Sequence, residues 1–466
     1  MTSRNYLPML AAVICFVTAL PAQQPLDANA QHDEALHFLT ELVKLDTSNP
    51  PGNEIRAANY IKSVLDKEGI ASEIFESAPG RANLVARLKG NGSKKPLLLM
   101  GHIDVVGVER DKWTVDPFSA MTKDGYLYGR GSSDDKAMDA ANLEVFLQLH
   151  RQKTPLDRDV ILLAEAGEEG TSQFGIDYMV AQHWDKIECE YALNEGGSFH
   201  LSPDGKIEYA GVSPAEKVPR GLLLVGQGSS GHGSIPRADN VITHLGAAVG
   251  KVGSWQAPMR LNDVSREYFE RLAKISSKDD AYLYTHLDQW DVQEKIRLTH
   301  PPQSSMLRTS IVPTIIKGGF RENVIPSDAE ATLDVRALPD EDMDALIAKL
   351  KEVINDPQIE IKRLGEGQKR PTTTPSSIHN EMFSALEHAQ AKIFPGAVTL
   401  PLMQTGATDS AQLRAKGVQA YGIGVPHTDD DARRVHGNDE RVSIDALEKF
   451  VDYLNSAVFE VAAKKQ

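Results

Sequence analysis

Apolar residues recur at helical spacing over 34–45 and again over 54–69, and the turn-rich TSNPPGN at 47–53 separates the two stretches. Short apolar runs follow at 83–88 and 96–100. The second, PLLLM, is continuous, as in a central strand buried on both faces. The pattern then predicts a helix over 137–152, another buried strand over 160–164 (VILLA) and a shorter strand over 191–193. Such β–α alternation predicts an α/β fold with a mostly parallel sheet flanked by helices.

Near Pro214 the pattern changes. A strand at 221–225, a helix at 240–252, an alternating strand at 329–337 and an amphipathic helix at 340–354 make a smaller α+β block. Inside it, residues 255–305 are charged and helix-prone and read as an insertion. The stretch 364–377 reads in part as a linker. It leads to a last helix, a strand at 419–424 and an acidic loop with His436. Chemistry-bearing residues lie on both sides of the middle block. The expected organisation is therefore a catalytic domain at 31–214 and 364–466, interrupted by a lid-like domain at 215–363.

A length of 466 residues exceeds what one core usually organises, which agrees with two domains. The formal charge of -15 argues against a nucleic-acid partner, because binding phosphates requires a basic surface. At the N-terminus, Arg4 precedes an apolar run at 7–20, followed by Pro21 and Ala22. That is the layout of a secretory signal peptide over 1–22, with export as the expectation and a non-cleaved anchor as the alternative. The run is short for a membrane span, so no stable span is expected after processing. Of two cysteines, Cys15 would leave with the signal, and Cys189 alone forms no internal disulfide.

The chemistry sits just past the apolar runs: His102 and Asp104 in GHIDVV, Asp134 in GRGSSDDK, Glu168 and Glu169 in AEAGEEG, Glu195 in ALNEGG, and His436 in RRVHGNDE. Imidazole and carboxylate together are the ligand set of a hydrolytic zinc site, and parallel strands collect such groups at one sheet edge. In extended backbone His102 and Asp104 share a face, which suits a carboxylate orienting a metal-binding imidazole. Asp135 and Asp139 compete with Asp134 for its role, and Asp at that place also suits a helix N-cap. The adjacent Glu168 and Glu169 point different ways, so one can bind metal while the other serves as a base. Each segment alone has a bland explanation, a polar loop or a helix start. Together they require that explanation at every strand end at once.

In this order, these segments resemble the di-zinc metallopeptidase family of acetylornithine deacetylase, succinyl-diaminopimelate desuccinylase, aminoacylase and glutamate carboxypeptidase, over about residues 33 to 460. The NEGG and SPAEK segments and the long middle block are most similar to its carboxypeptidase S-like branch. The resemblance implies a zinc-exopeptidase-like catalytic domain with an inserted lid or dimerisation domain, two zinc ions per chain (cobalt as a possible substitute) and a homodimer. It implies that Asp134 bridges both metals, with His102 and Glu195 on one and Glu169 and His436 on the other. Asp104 would orient His102 and Glu168 would be the general base. By the same resemblance His232 (GSSGHGSIP) helps hold the oxyanion, and Asn323 (RENVIP) and Arg336 (DVRALP) bind the substrate's carboxylate. Gly406, Thr408 and Asp409 (TGATDS) would line the same pocket. The implied substrate is a small peptide or N-acyl amino acid, cleaved by an exopeptidase beside a free carboxylate, with a deacylase or dipeptidase as alternatives. Gly107 and Gly167 depart from the family pattern but remove no ligand.

Two other functions fit the sequence less well. GQGSSG at 226–231 fits the dinucleotide fingerprint, but Pro236 follows where that fingerprint needs a helix, and no acid-tipped strand lies at the right distance. A non-catalytic zinc-stabilised binding protein would have a closed, cysteine-rich site, whereas this set is carboxylate-rich and keeps Glu168.

Overall fold

The computed structural model describes residues 28–202, 205–364 and 370–465, so the apolar run at 7–20 and the expected cleavage site lie outside the described residues. A nine-stranded sheet forms the larger layer. Its centre is parallel: Gln419–Gly422 pairs with Tyr191–Asn194, that strand with Leu97–His102, and Leu97–His102 with Val160–Glu165. Antiparallel strands flank it, Arg81–Leu88 and Ser72–Ala78 on one side and Ile207–Glu216 with Ser198–Leu201 on the other. The sheet is thus parallel where its strands are most apolar and mixed towards its edges.

Side chains alternate across each central strand. Leu97, Leu99, Val160, Leu162 and Leu193 enter one apolar cluster, whereas Leu98, Met100, Ile161, Leu163 and Ala192 enter another on the opposite face. The first face is covered by helices Ala28–Val43, Lys136–Arg151, Glu381–Ile393 and Ile444–Ala462, the last contributing Phe450, Leu454 and Val458. Each fully buried leucine is worth about 1.5–3 kcal/mol relative to exposure. Helices packed on both faces therefore explain why these strands read as unbroken apolar runs.

A second sheet is wholly antiparallel, ordered Val218–Pro219, Asp328–Ala337, Leu222–Gln227, Ile359–Arg363, with Ser310–Gly318 also on Asp328–Ala337. Helices Val241–Ser254 and Met343–Ile354 close a separate core on it with Leu245, Val252, Leu346 and Leu350. Helix starts follow local chemistry, since Asn240 and Asp342 cap these two helices through their side chains. The segment read as an insertion forms four helices between Asp263 and Met306. Its first, Asp263–Ile275, buries Val264, Tyr268 and Phe269 in the large cluster, not the small one. Among the described residues, no helix is long and apolar enough to cross a membrane.

Candidate metal centre

Because the central strands are parallel, their C-terminal ends share one edge, and His102 lies in register with Glu165. The chain leaving Val160–Glu165 turns at Gly167, whose φ of +83° and close approach to the Thr171 carbonyl favour glycine. That turn delivers Glu168 and Glu169 to the edge. Both of their backbone N–H groups donate to the fully buried Asp104 carboxylate, at 3.1 and 3.2 Å, and Asn49 donates to it at 2.8 Å. Asp104 therefore ties three segments together. His102 Nδ1 lies 3.0 Å from its backbone oxygen and 3.5 Å from its carboxylate. Burial opposes a charge on Asp104, yet His102, Asn49 and the Glu169 amide hold it below the usual carboxylate range.

Asp134 stands at the centre. One of its oxygens lies 3.0 Å from His102 Nε2 and the other 3.1 Å from His436 Nε2. His436 also lies 3.0 Å from Glu169 Oε1. Two triads result, His102–Asp134–Glu195 and Asp134–Glu169–His436, each offering ligand atoms within 4.8 Å of one another. The five ligands expected from sequence thus meet, from positions 102 to 436, around one shared carboxylate. Asp135 and Asp139, its competitors, belong to neither triad; both are buried, each with an unbonded Oδ2, and Asp135 Oδ2 and Asp139 Oδ1 lie close to Gly101.

The donor set fits divalent cations. Among the described residues no hydrogen bond reaches the Glu195 carboxylate, and burial followed by repulsion from Glu168 and Asp134 pushes its pKa well up. Asp134 is held down despite burial because two imidazoles face it. Those imidazoles are raised in turn, His436 to about 10. A pair of cations would take the place of the protons that these imidazoles hold among the carboxylates.

Glu168 points to a different neighbour. Arg370, itself almost wholly buried, donates to Glu168 Oε1 at 2.6 Å and also pairs with Asp409. Burial, then repulsion from Asp409, pushes Glu168 up to about 8, with Arg370 pulling the other way. Arg370 lies in the stretch read as a linker, where composition carries no signal for it.

A second missed residue is Glu440. It is fully buried, pairs with Arg130 at 2.5 Å, and accepts from the N–H groups of Ser133 and Asp134 at 2.9 and 3.2 Å. It anchors the loop that presents the shared ligand. Glu440→Ala is expected to destabilise the fold by about 3–5 kcal/mol, read from a urea transition, because Arg130 would remain buried and unpaired.

The residues assigned to substrate fall elsewhere. His232 sits on a two-stranded ribbon opposite Val324, beside Asn323, with its Nδ1 2.7 Å from Ser234 Oγ. Arg336 is engaged by Asp334 at 2.8 Å on the second sheet. Neither meets the ligand triads among the described contacts. Thr408 lies near them, its methyl against Gly196, but its hydroxyl donates to buried Glu216 at 2.8 Å. A cavity of about 160 Å³ opens beside Asp134 and Glu195 and is also lined by Gln404, Val425 and His427.

With this geometry in view, the relatives become informative. The chain is 29% identical over 385 residues to a protein named probable carboxypeptidase S-like 2 from Dictyostelium discoideum, covering 80% of this chain and 73% of the relative. It is 26% identical over 453 residues to the human N-fatty-acyl-amino acid synthase/hydrolase PM20D1, covering 93% and 88% respectively. In fold it matches the crystal structure of the M20 family metallo-carboxypeptidase Sso-CP2 from Sulfolobus solfataricus, with a TM-score of 0.70 at 20% identity over 91% of this chain and 98% of that one. The model of peptidase family M20/M25/M40 matches residues 98–460, which include every ligand of both triads, and the chain belongs to that family.

Proposed function

We propose that this metal-dependent hydrolase cleaves an amide bond beside a free carboxylate, in a small peptide or an N-acyl amino acid, with two zinc ions held by the triads that share Asp134. The observation that carries this reading is the convergence of two imidazoles and two further carboxylates around the shared Asp134, with Glu168 beside them. Two bound cations would supply Lewis acidity towards the amide carbonyl and a lowered pKa for the attacking water. Among the described residues the only cysteine is Cys189, buried away from the triads, so the donors are the nitrogen and oxygen set that zinc accepts and cobalt shares.

The chain's own residues do the rest. Asp104 fixes the ring orientation of His102. Glu168 takes a proton from the nucleophile and returns it to the departing amine. Arg370 holds the Glu168 carboxylate in place from the side. Arg336, by the family resemblance, receives the substrate's carboxylate once released from Asp334, since its planar fork matches that group.

Support for pairing of two chains comes from the edge strand Ser310–Gly318 and the loop after it, where Ile315, Ile316 and Phe320 are exposed. The apolar N-terminal run supports export. The relatives' names favour both a carboxypeptidase and an N-acyl amino-acid hydrolase.

A panel of dipeptides, N-acetyl and long-chain N-acyl amino acids, each with its C-terminal amide counterpart, tests the proposal. Free acids are expected to turn over and amides to be poor substrates. Arg336→Ala is expected to raise KM for free acids by about tenfold or more and to leave the amides nearly unchanged. Equal loss on both would remove Arg336 from carboxylate recognition, and no turnover of any free acid would sink the substrate class.

A further inference from the structure

A cavity of about 650 Å³, within the size range of small-molecule sites, lies apart from the metal triads. It forms where the chain leaves helix Val241–Ser254 and crosses from the small core to the large one, since Trp255 packs on the former and Met259 on the latter. Helix Trp290–Thr299 makes the opposite wall. Trp290, at the start of that helix, is 77% exposed although it is one of the largest apolar side chains in the protein.

Arg308 stands in the wall of this cavity and is only 9% exposed. Its partners are neutral: Nη1 donates to Gln256 Oε1 at 2.5 Å and Nη2 to Gln293 Oε1 at 3.0 Å. Among the described residues its Nε–H has no acceptor and no carboxylate lies within ion-pair distance. A guanidinium carries five donors, so two bonds leave most of its capacity unused. The remaining charges lining the cavity, Glu294 and Arg297, pair with each other. One acid against two arginines leaves a local charge of +1, in a chain whose formal charge is -15. A buried cation with neutral partners is costly unless an anion completes it.

We propose that this cavity binds a small carboxylate with an apolar body: the carboxylate meets Arg308 and Gln256, and the body lies between Trp255 and Trp290. The guanidinium supplies planar, paired donors to the acid, and the indoles cover the apolar part. The cavity shares no lining residue with the triads, so occupancy does not require the hydrolytic chemistry.

Phenylacetate and its neutral isostere phenylacetamide serve as probes. Titration calorimetry of the metal-loaded protein is expected to show saturable binding of phenylacetate and at least about tenfold weaker binding of the amide. Trp290→Ala removes an exposed side chain and is expected to weaken phenylacetate binding about fivefold or more, with amide hydrolysis unchanged. Arg308→Gln is expected to weaken it further, with thermal melting used to verify the fold. No saturable binding of phenylacetate up to about 10 mM would overturn the proposal. So would equal affinity for acid and amide, or full affinity in the Trp290→Ala protein.

Discussion

Replacing Glu168 with alanine is expected to lower kcat by about a thousand- to ten-thousandfold while both metal ions stay bound. Glu168 is not among the ligand atoms of either triad, so its removal leaves the donor set intact. Its neighbour Glu169 belongs to a triad, so its replacement is expected to fail differently, by losing metal. Glu168→Gln is the sharper test. An amide oxygen still accepts from Arg370, so packing and hydrogen bonding are largely retained while the proton-accepting group is gone. Both variants should be equally dead on every substrate, with normal metal content by atomic absorption. Near-normal turnover in either would assign the base to another group.

Removal of the metals should have the other large effect. Chelation is expected to abolish hydrolysis and lower the melting temperature, and zinc or cobalt to restore both. A ligand at a hundred times its Kd stabilises by about 2.7 kcal/mol, and two ions sharing Asp134 would act together. The pH dependence has a definite sign. In the metal-free protein His436 and Glu168 have raised pKa values, about 10 and about 8. The stability each contributes is complete below its unfolded value and fades as pH rises through its folded one. Metal binding instead needs deprotonated ligands and strengthens as pH rises. The melting shift on adding zinc should therefore be larger at pH 8 than at pH 5.5. A shift that shrinks with pH would mean that the ions bind elsewhere.

Much of this centre was legible in the sequence because His102, Glu169 and Glu195 stand at or just past strands that announce themselves. PLLLM and VILLA are buried on both faces, and a parallel pair brings His102 and the Glu168–Glu169 turn to one edge. Three of the strands absent from the sequence reading share a cause. Ile207–Glu216, Ser310–Gly318 and Val398–Gln404 each contain a proline, which argues against a strand interior. In the structure Pro214 and Pro313 fall at register shifts, where a missing N–H is tolerated. Arg370 and Glu440 were silent for another reason. Each acts through a partner hundreds of residues away in the chain, and neither sits in a periodic segment. The small sheet was anticipated, but the helices that follow Asp263 bury their apolar faces against the large core, a preference that local periodicity does not encode.

The clasp between Glu440 and the Ser133–Asp134 backbone has a consequence for biosynthesis. A nascent chain halted before position 440 would carry His102, Asp134, Glu169 and Glu195 but lack the anchor that seats the bridging ligand, even with His436 already made. Seating of Asp134 would then depend on a residue some three hundred positions downstream.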